Sequence, residues 1–180
     1  MRRWIPVLAT AFLFGAAGSA RAQSARELAR SVAQAQAYAS LEPVPRQRTF
    51  EIAVVARIKS TYHINAHKVL DEFMIPTKIE AHFPPGFQIV STDYPAGELR
   101  QFSFSKMKLA VYTGQVTVRM KVKAEAHAPL GPQDLSLAFH YQACNDAMCL
   151  PPVNVPVALH LTVAKAGTHA KASHPEIFRH

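Results

Sequence analysis

Among its 180 residues the chain has two cysteines and seven glycines, and no glycine-rich phosphate loop. Each scarcity closes off a class of function. Without a glycine-rich turn leading from strand to helix, the chain offers no phosphate loop of the nucleotide-binding kind. There is no Gly-x-Ser-x-Gly elbow and no His-Glu-x-x-His pair. The carboxylates Glu51, Asp71, Glu72, Glu80, Asp93, Glu98 and Asp134 form no readable acid–base pair, so hydrolytic chemistry has no support. No internal repeat is visible. After residue 22 no apolar stretch reaches the ~20 residues a spanning helix needs, so no stable membrane insertion is expected. Basic and aromatic residues do not interleave in ordered stripes, so no nucleic-acid partner is expected either.

What is present begins at the front. Arg2 and Arg3 are followed by an apolar, uncharged run from Trp4 to Ala17, and Ala20-Arg21-Ala22 has the Ala-x-Ala form of a cleavage site. Residues 1–22 therefore read as a secretory signal peptide, with Gln23 first in the mature chain. No cysteine follows the cleavage site, so no lipid anchor is expected. The mature protein is expected to be periplasmic or otherwise exported, where disulfides persist. Loss of Arg2, Arg3 and Arg21 lowers the formal charge from +8 to +5. That excess is spread along the chain and reads as a solvated surface.

Residues 23–47 read as a leader or linker. Ser24 to Leu41 is rich in Ala, Gln, Arg and Ser, with only a thin apolar side at Leu28, Val32 and Ala39, so at most a weak helix is expected. Pro43 and Pro45 end it before a folded domain over residues 48–164. The polar stretch 165–180 reads as a flexible tail. Between these ends the pattern is β. Phe50–Ile58 is an apolar strand, and Val116–Lys123 alternates apolar and polar with period two. Leu135, Leu137, Phe139 and Tyr141 alternate likewise, as do Val155, Val157, Leu159, Leu161 and Val163. Two shorter strands, Lys78–Phe83 and Phe87–Ser91, flank the turn Pro84-Pro85-Gly86. Short alternating strands divided by Pro and Gly predict an all-β sandwich of antiparallel sheets.

Both cysteines lie in one connection between the last two long strands, in Tyr141-Gln142-Ala143-Cys144-Asn145-Asp146-Ala147-Met148-Cys149-Leu150-Pro151-Pro152. The prolines lack amide donors and hold an extended edge or turn, so the pair is expected at a hairpin end near the surface. Asn145-Asp146 allows the chain to double back. Such a pair can staple the fold, bind a metal, or exchange between dithiol and disulfide. A ring this small stabilises by only about 2 kcal/mol in the chain-entropy model, and it ties neighbours rather than distant strands. A small exposed ring is also open to attack by a thiolate. The residues alone leave the three uses open.

The cysteine segment resembles the active-site hairpin of the amino-terminal periplasmic domain of the DsbD thiol:disulfide interchange family, in Tyr141-Gln142-Ala143-Cys144 and in Cys149-Leu150-Pro151-Pro152. The resemblance continues in order through Tyr62-His63-Ile64-Asn65, Ile75-Pro76-Thr77, Pro85-Gly86, Tyr94-Pro95 and Val111-Tyr112-Thr113-Gly114, and covers roughly Arg48 to Val163. It implies an immunoglobulin-like sandwich with Cys144 and Cys149 as a redox pair and Tyr141, Gln142, Tyr62 and His63 as neighbours. It implies that a membrane electron donor reduces the pair. The pair then passes electrons to periplasmic thioredoxin-fold partners such as disulfide isomerases and cytochrome c maturation factors. Cys149 is implied as the residue that forms the mixed disulfide. The family shields its cysteines under a loop with an aromatic side chain, and here Leu99–Lys106 is that loop, with Phe102 and Phe104 as candidates for the cap.

This sequence departs from the family pattern in two respects. Four residues separate its cysteines where the best-known members have five, and it carries neither the membrane nor the thioredoxin domain of a full DsbD, so a separate donor is expected. Without exchange, the same hairpin would serve a non-catalytic interaction domain with a permanent disulfide. His63, His67, Met74 and Met148 could alternatively suggest copper or zinc, but the His63-x-x-x-His67 spacing lies in a presumed loop where the two rings need not share a face. No cofactor and no metal is expected.

Overall fold

The computed structural model describes residues 16–103 and 105–179. Most of the expected signal peptide lies outside the described residues, as does Phe104. In chain order the elements are α1 (Ala16–Val32), β1 (Ala33–Ala39), β2 (Leu41–Glu42), β3 (Val44–Pro45), β4 (Thr49–Ile58) and β5 (His63–Asn65). They continue as β6 (Lys78–His82), β7 (Phe87–Asp93), β8 (Glu98–Arg100), β9 (Leu109–Tyr112), β10 (Gln115–Ala124) and β11 (Gly131–Tyr141). The last are β12 (Ala143–Cys144), β13 (Val153–Ala164), β14 (Lys171–Ala172) and α2 (Pro175–Phe178).

Two four-stranded sheets, in the orders β1-β4-β10-β7 and β3-β13-β11-β6, form an immunoglobulin-like β-sandwich. The period-two sequences supply its centre. Ile52 and Val54 of β4 and Met120 and Val122 of β10 meet Leu135, Leu137 and Phe139 of β11 and Leu159, Leu161 and Val163 of β13, all buried. Each such side chain stabilises by roughly 1.5–3 kcal/mol through loss of apolar surface to water. The turn at Pro84-Pro85-Gly86 does not close a hairpin. It carries the chain from β6, paired with β11, to β7, paired with β10 in the other sheet. Gly86 is required there: its φ is 97°, and a Cβ would fall 2.4 Å from the Ala128 Cα.

Two expectations about the ends need correction. Residues 33–39 are not linker but strand β1, paired with β4 from Ala33↔Ile58 to Ala39↔Ile52. The physical reason is the alternation Ala-Gln-Ala-Gln-Ala-Tyr-Ala, a period-two pattern whose apolar member is only alanine. The preceding helix is likewise attached, with Ala29 and Val32 buried in the core. Residues 165–179 are not a free tail either. β14 pairs with β2, the Ser173 amide donates to the Ser40 carbonyl at 2.9 Å, and Arg119 donates to the Ile177 carbonyl at 2.7 Å. Backbone pairing rather than apolar burial holds this segment, which is why its polar composition suggested disorder.

A third sheet, β12-β5-β9-β8, contains Cys144 in its edge strand and so positions the cysteine hairpin. Its origin is local. The β11–β13 ladder runs unbroken to Tyr141↔Val153, whereas Cys144 faces Cys149. The returning strand therefore holds one residue more than a straight ladder allows, at Pro151-Pro152, where neither residue has an amide to continue the pairing. β12 is released to pair with β5 instead.

Candidate functional site

Cys144 and Cys149 are joined as a disulfide, with Cα atoms 4.0 Å apart. They face each other as an isolated antiparallel pair. The Leu150 amide donates to the Ala143 carbonyl at 2.8 Å and the Asn145 amide to the Met148 carbonyl at 2.9 Å. These bonds flank the cysteines, which occupy the narrow, non-hydrogen-bonded position where side chains come closest. The Asn145 side chain shapes the tip, its Oδ1 accepting the amides of Ala147 at 3.0 Å and Met148 at 2.9 Å. The two sulfurs do not share an environment. Cys144 is fully buried, whereas Cys149 is exposed together with Asp146, Ala147 and Met148.

The hairpin root is tied to β5 through one buried amide. Asn65 Nδ2 donates to the Ile75 carbonyl at 3.0 Å and to Gln142 Oε1 at 3.2 Å. Gln142 Nε2 in turn reaches the Leu150 carbonyl at 3.4 Å, and the Asn65 amide donates to the Gln142 carbonyl at 3.3 Å. Asn65 thus ties the hairpin to β5 and the Ile75 backbone, reaching both arms through Gln142. Its role was not foreseen, although it stands in the Tyr62-His63-Ile64-Asn65 segment. A buried asparagine beside an unpaired loop was the available signal.

His63 lies in register with Cys144 across the β5–β12 pair. It is buried, and its Nε2 has no hydrogen-bond partner among the described residues. Burial pushes its pKa below 6.5, against the opposing pull of Asp146, while Arg100 adds to the lowering. The Phe102 ring stacks on the imidazole with centroids 4.1 Å apart and planes 20° from parallel. Phe102 belongs to the loop between β8 and β9, which turns back over the sheet, and Ser103 Oγ reaches the Asp146 carbonyl at 3.4 Å. Gly97 lets the start of β8 sit close, since a Cβ there would fall 2.5 Å from the Ala66 Cβ.

Of the other expected neighbours, Gln142 stands at the site and Tyr62 packs, half-buried, at the edge of the core beside His63. Tyr141 points away into the core, its ring 5.1 Å from that of Phe139 and its hydroxyl bound to α1. His67 does not join His63. Its ring lies on Tyr94 at 3.7 Å, with Nδ1 2.9 Å from the Thr77 carbonyl. Among the described residues no three His, Cys, Asp or Glu side chains converge as a metal site.

Residues 29–161 match the family described as thiol:disulfide interchange protein DsbD, N-terminal. The chain belongs to this family. No match was found among curated proteins. Among solved structures, the DsbD N-terminal domain of Neisseria meningitidis in the reduced form is similar at 18% identity and a TM-score of 0.40, covering 74% of this chain and 88% of that one. The complex between the DsbD and PilB N-terminal domains of the same organism gives 18% identity and a TM-score of 0.42, over 68% of this chain and 80% of that one. The N-terminal periplasmic domain of ScsB from Proteus mirabilis gives 10% identity and a TM-score of 0.45, over 72% and 44%. Membership in the DsbD N-terminal family and the Cys144–Cys149 disulfide together support thiol–disulfide exchange as the chemistry of this site. Among the described residues no helix is long and apolar enough to cross a membrane.

Proposed function

We propose that the chain is an exported thiol–disulfide exchange domain, relaying two electrons through Cys144 and Cys149 from a membrane donor to thioredoxin-fold partners. The observation that carries this reading is the unequal exposure of the two cysteines. An attacking thiolate needs a path to one sulfur and a leaving group at the other. Exposed Cys149 offers the path, and buried Cys144 is the partner that leaves and later returns. In the reducing direction the Cys149 thiolate attacks a partner disulfide, one partner sulfur leaves as thiolate, and a mixed disulfide forms. Cys144 then attacks Cys149 Sγ, which closes the ring and releases the partner as a dithiol. The partner gains two electrons and two protons, and this domain loses them.

Phe102 acts in this scheme as a lid on the His63 and Cys144 side, leaving Cys149 as the sulfur that partners reach, and residues 1–22 act as the signal peptide. Cleavage after Ala22 leaves Ala29 and Val32, the buried part of α1, in the mature chain. The DsbD N-terminal domain of N. meningitidis forms a complex with the PilB N-terminal domain, and an exchange partner for this chain is sought by the same logic.

The test is equilibration of the mature protein in graded glutathione or dithiothreitol buffers, with the Cys144–Cys149 bond followed by alkylation and mass. A midpoint within reach of periplasmic thioredoxin-fold proteins, near −120 to −230 mV to order of magnitude, is expected. A bond that resists reduction until the fold melts makes the disulfide a permanent staple and removes the relay.

A further inference from the structure

His63, Cys144 and Cys149 form a row across three strand segments. His63 pairs with Cys144, and Cys144 with Cys149. Directly paired residues project to the same face of a sheet with Cβ atoms ~5 Å apart. The imidazole is therefore the lateral neighbour of the buried sulfur on the side away from the disulfide, roofed by Phe102. Its Nε2 is buried and has no partner among the described residues. Buried ring nitrogens are seldom left in this way. A disulfide has no hydrogen to donate. Reduction gives Cys144 an S–H, and that hydrogen is the one group this row can newly offer the empty acceptor.

We propose that His63 accepts the proton of Cys144 in the reduced domain, so that Cys144 resolves the mixed disulfide as a thiolate. The inference rests on the exchange reading above and assigns to one residue its proton step. Once Cys149 Sγ is bonded to the partner sulfur, the Cys144 S–H proton passes to Nε2 of neutral His63. Cys144 Sγ attacks Cys149 Sγ, the bond between Cys149 and the partner breaks, and the partner sulfur leaves as thiolate. The imidazolium then returns its proton to that thiolate or to water. The charged and titratable groups facing His63 are Asp146 of the hairpin and Arg100 of β8, besides Cys144 itself. The Phe102 roof carries no charge. Burial keeps the free imidazole neutral, which is the form that can accept, and Asp146 steadies the imidazolium when it forms.

The test uses the full mature chain carrying Cys149→Ser, so that Cys144 is the lone thiol. Its thiolate is followed by ultraviolet absorbance across neutral pH, with and without His63→Gln. Loss of the imidazole is expected to lower the thiolate fraction near neutrality about tenfold, equivalent to one pKa unit. An unchanged titration overturns the proposal. Because His63→Gln could disturb folding, proton NMR of the His63 ring in the unsubstituted protein is the second measurement. Reduction is expected to shift the imidazole titration and to give it a second inflection shared with the thiol. Identical titrations in the oxidised and reduced proteins overturn the proton role. The exchange reading has its own arm: it falls only if the unsubstituted disulfide cannot be reduced in the folded chain, whatever His63 does.

Discussion

The Tyr141 hydroxyl donates to the Ala29 carbonyl at 2.7 Å, while accepting the Ala33 amide at 3.2 Å. A continuing helix would bond Ala33 directly to Ala29, so the phenol stands where α1 would have added its next hydrogen bond. It ends the helix and satisfies both groups as the chain turns into β1. Burial raises the Tyr141 pKa above 10.0, so the hydroxyl stays protonated and able to donate. Tyr141→Phe leaves a buried amide and carbonyl without this partner. We expect a loss of about 1–3 kcal/mol in urea unfolding, with the reduction potential of the disulfide unchanged, because the ring lies in the core and away from the sulfurs.

Stability should also depend on pH through His63. Its pKa in the folded protein lies below the 6.5 of an exposed histidine because burial disfavours the charged form. The unfolded chain therefore binds the proton more readily. The stabilisation is fully present above 6.5 and is lost as pH falls from there towards the folded value. Urea midpoints measured on either side of this window should drop on the acid side. His63→Phe should flatten that part of the profile.

The Phe102 ring covers the imidazole of His63, which lies in register with Cys144. Phe102→Ala removes the roof without touching the sandwich core. Reduction of the disulfide by dithiothreitol should accelerate by no more than about threefold, since Cys149 is already open and only the Cys144 side gains access. The His63 pKa should rise towards its exposed value as water reaches the ring. A Phe102→Ala protein whose reduction rate and histidine titration both stay put would show that the loop shields nothing.

The legible parts of this fold were those where burial on one face imposed period two on large side chains, as in β10, β11 and β13. Strand β1 obeys the same rule, but its buried residues are alanines, and alanine serves helix and sheet alike, so the pattern lost its meaning. β5 was harder still. His63, Ile64 and Asn65 are all buried, two of them polar, so no alternation exists to be read. The cysteine hairpin was visible from its prolines, and family resemblance brought His63 into the site. The stacking of His63 on Phe102 joins residues 39 positions apart, brought together by the pairing of β5 and β8 with β9 in the third sheet.

Asn65 offers the sharpest test of how the fold holds the cysteines. Its side chain is the shared donor to Ile75 and Gln142, and Gln142 passes the connection to Leu150, on the other arm of the hairpin. Asn65→Ala leaves the Ile75 carbonyl and Gln142 Oε1 without that donor and opens a small cavity at a nearly fully buried position. A loss of about 1–3 kcal/mol in urea unfolding is expected. A global loss alone would make Asn65 an ordinary core residue. The network predicts more: amide hydrogen exchange at Asn145 and Leu150, whose bonds flank the disulfide, should speed up beyond the change seen in β10. Gln142→Ala should reproduce that local effect with a smaller global cost, because Asn65 keeps its bond to Ile75. Equal acceleration in β10 and the hairpin would mean that the hairpin is held by the sandwich as a whole, and that Asn65 has no special hold on the cysteines.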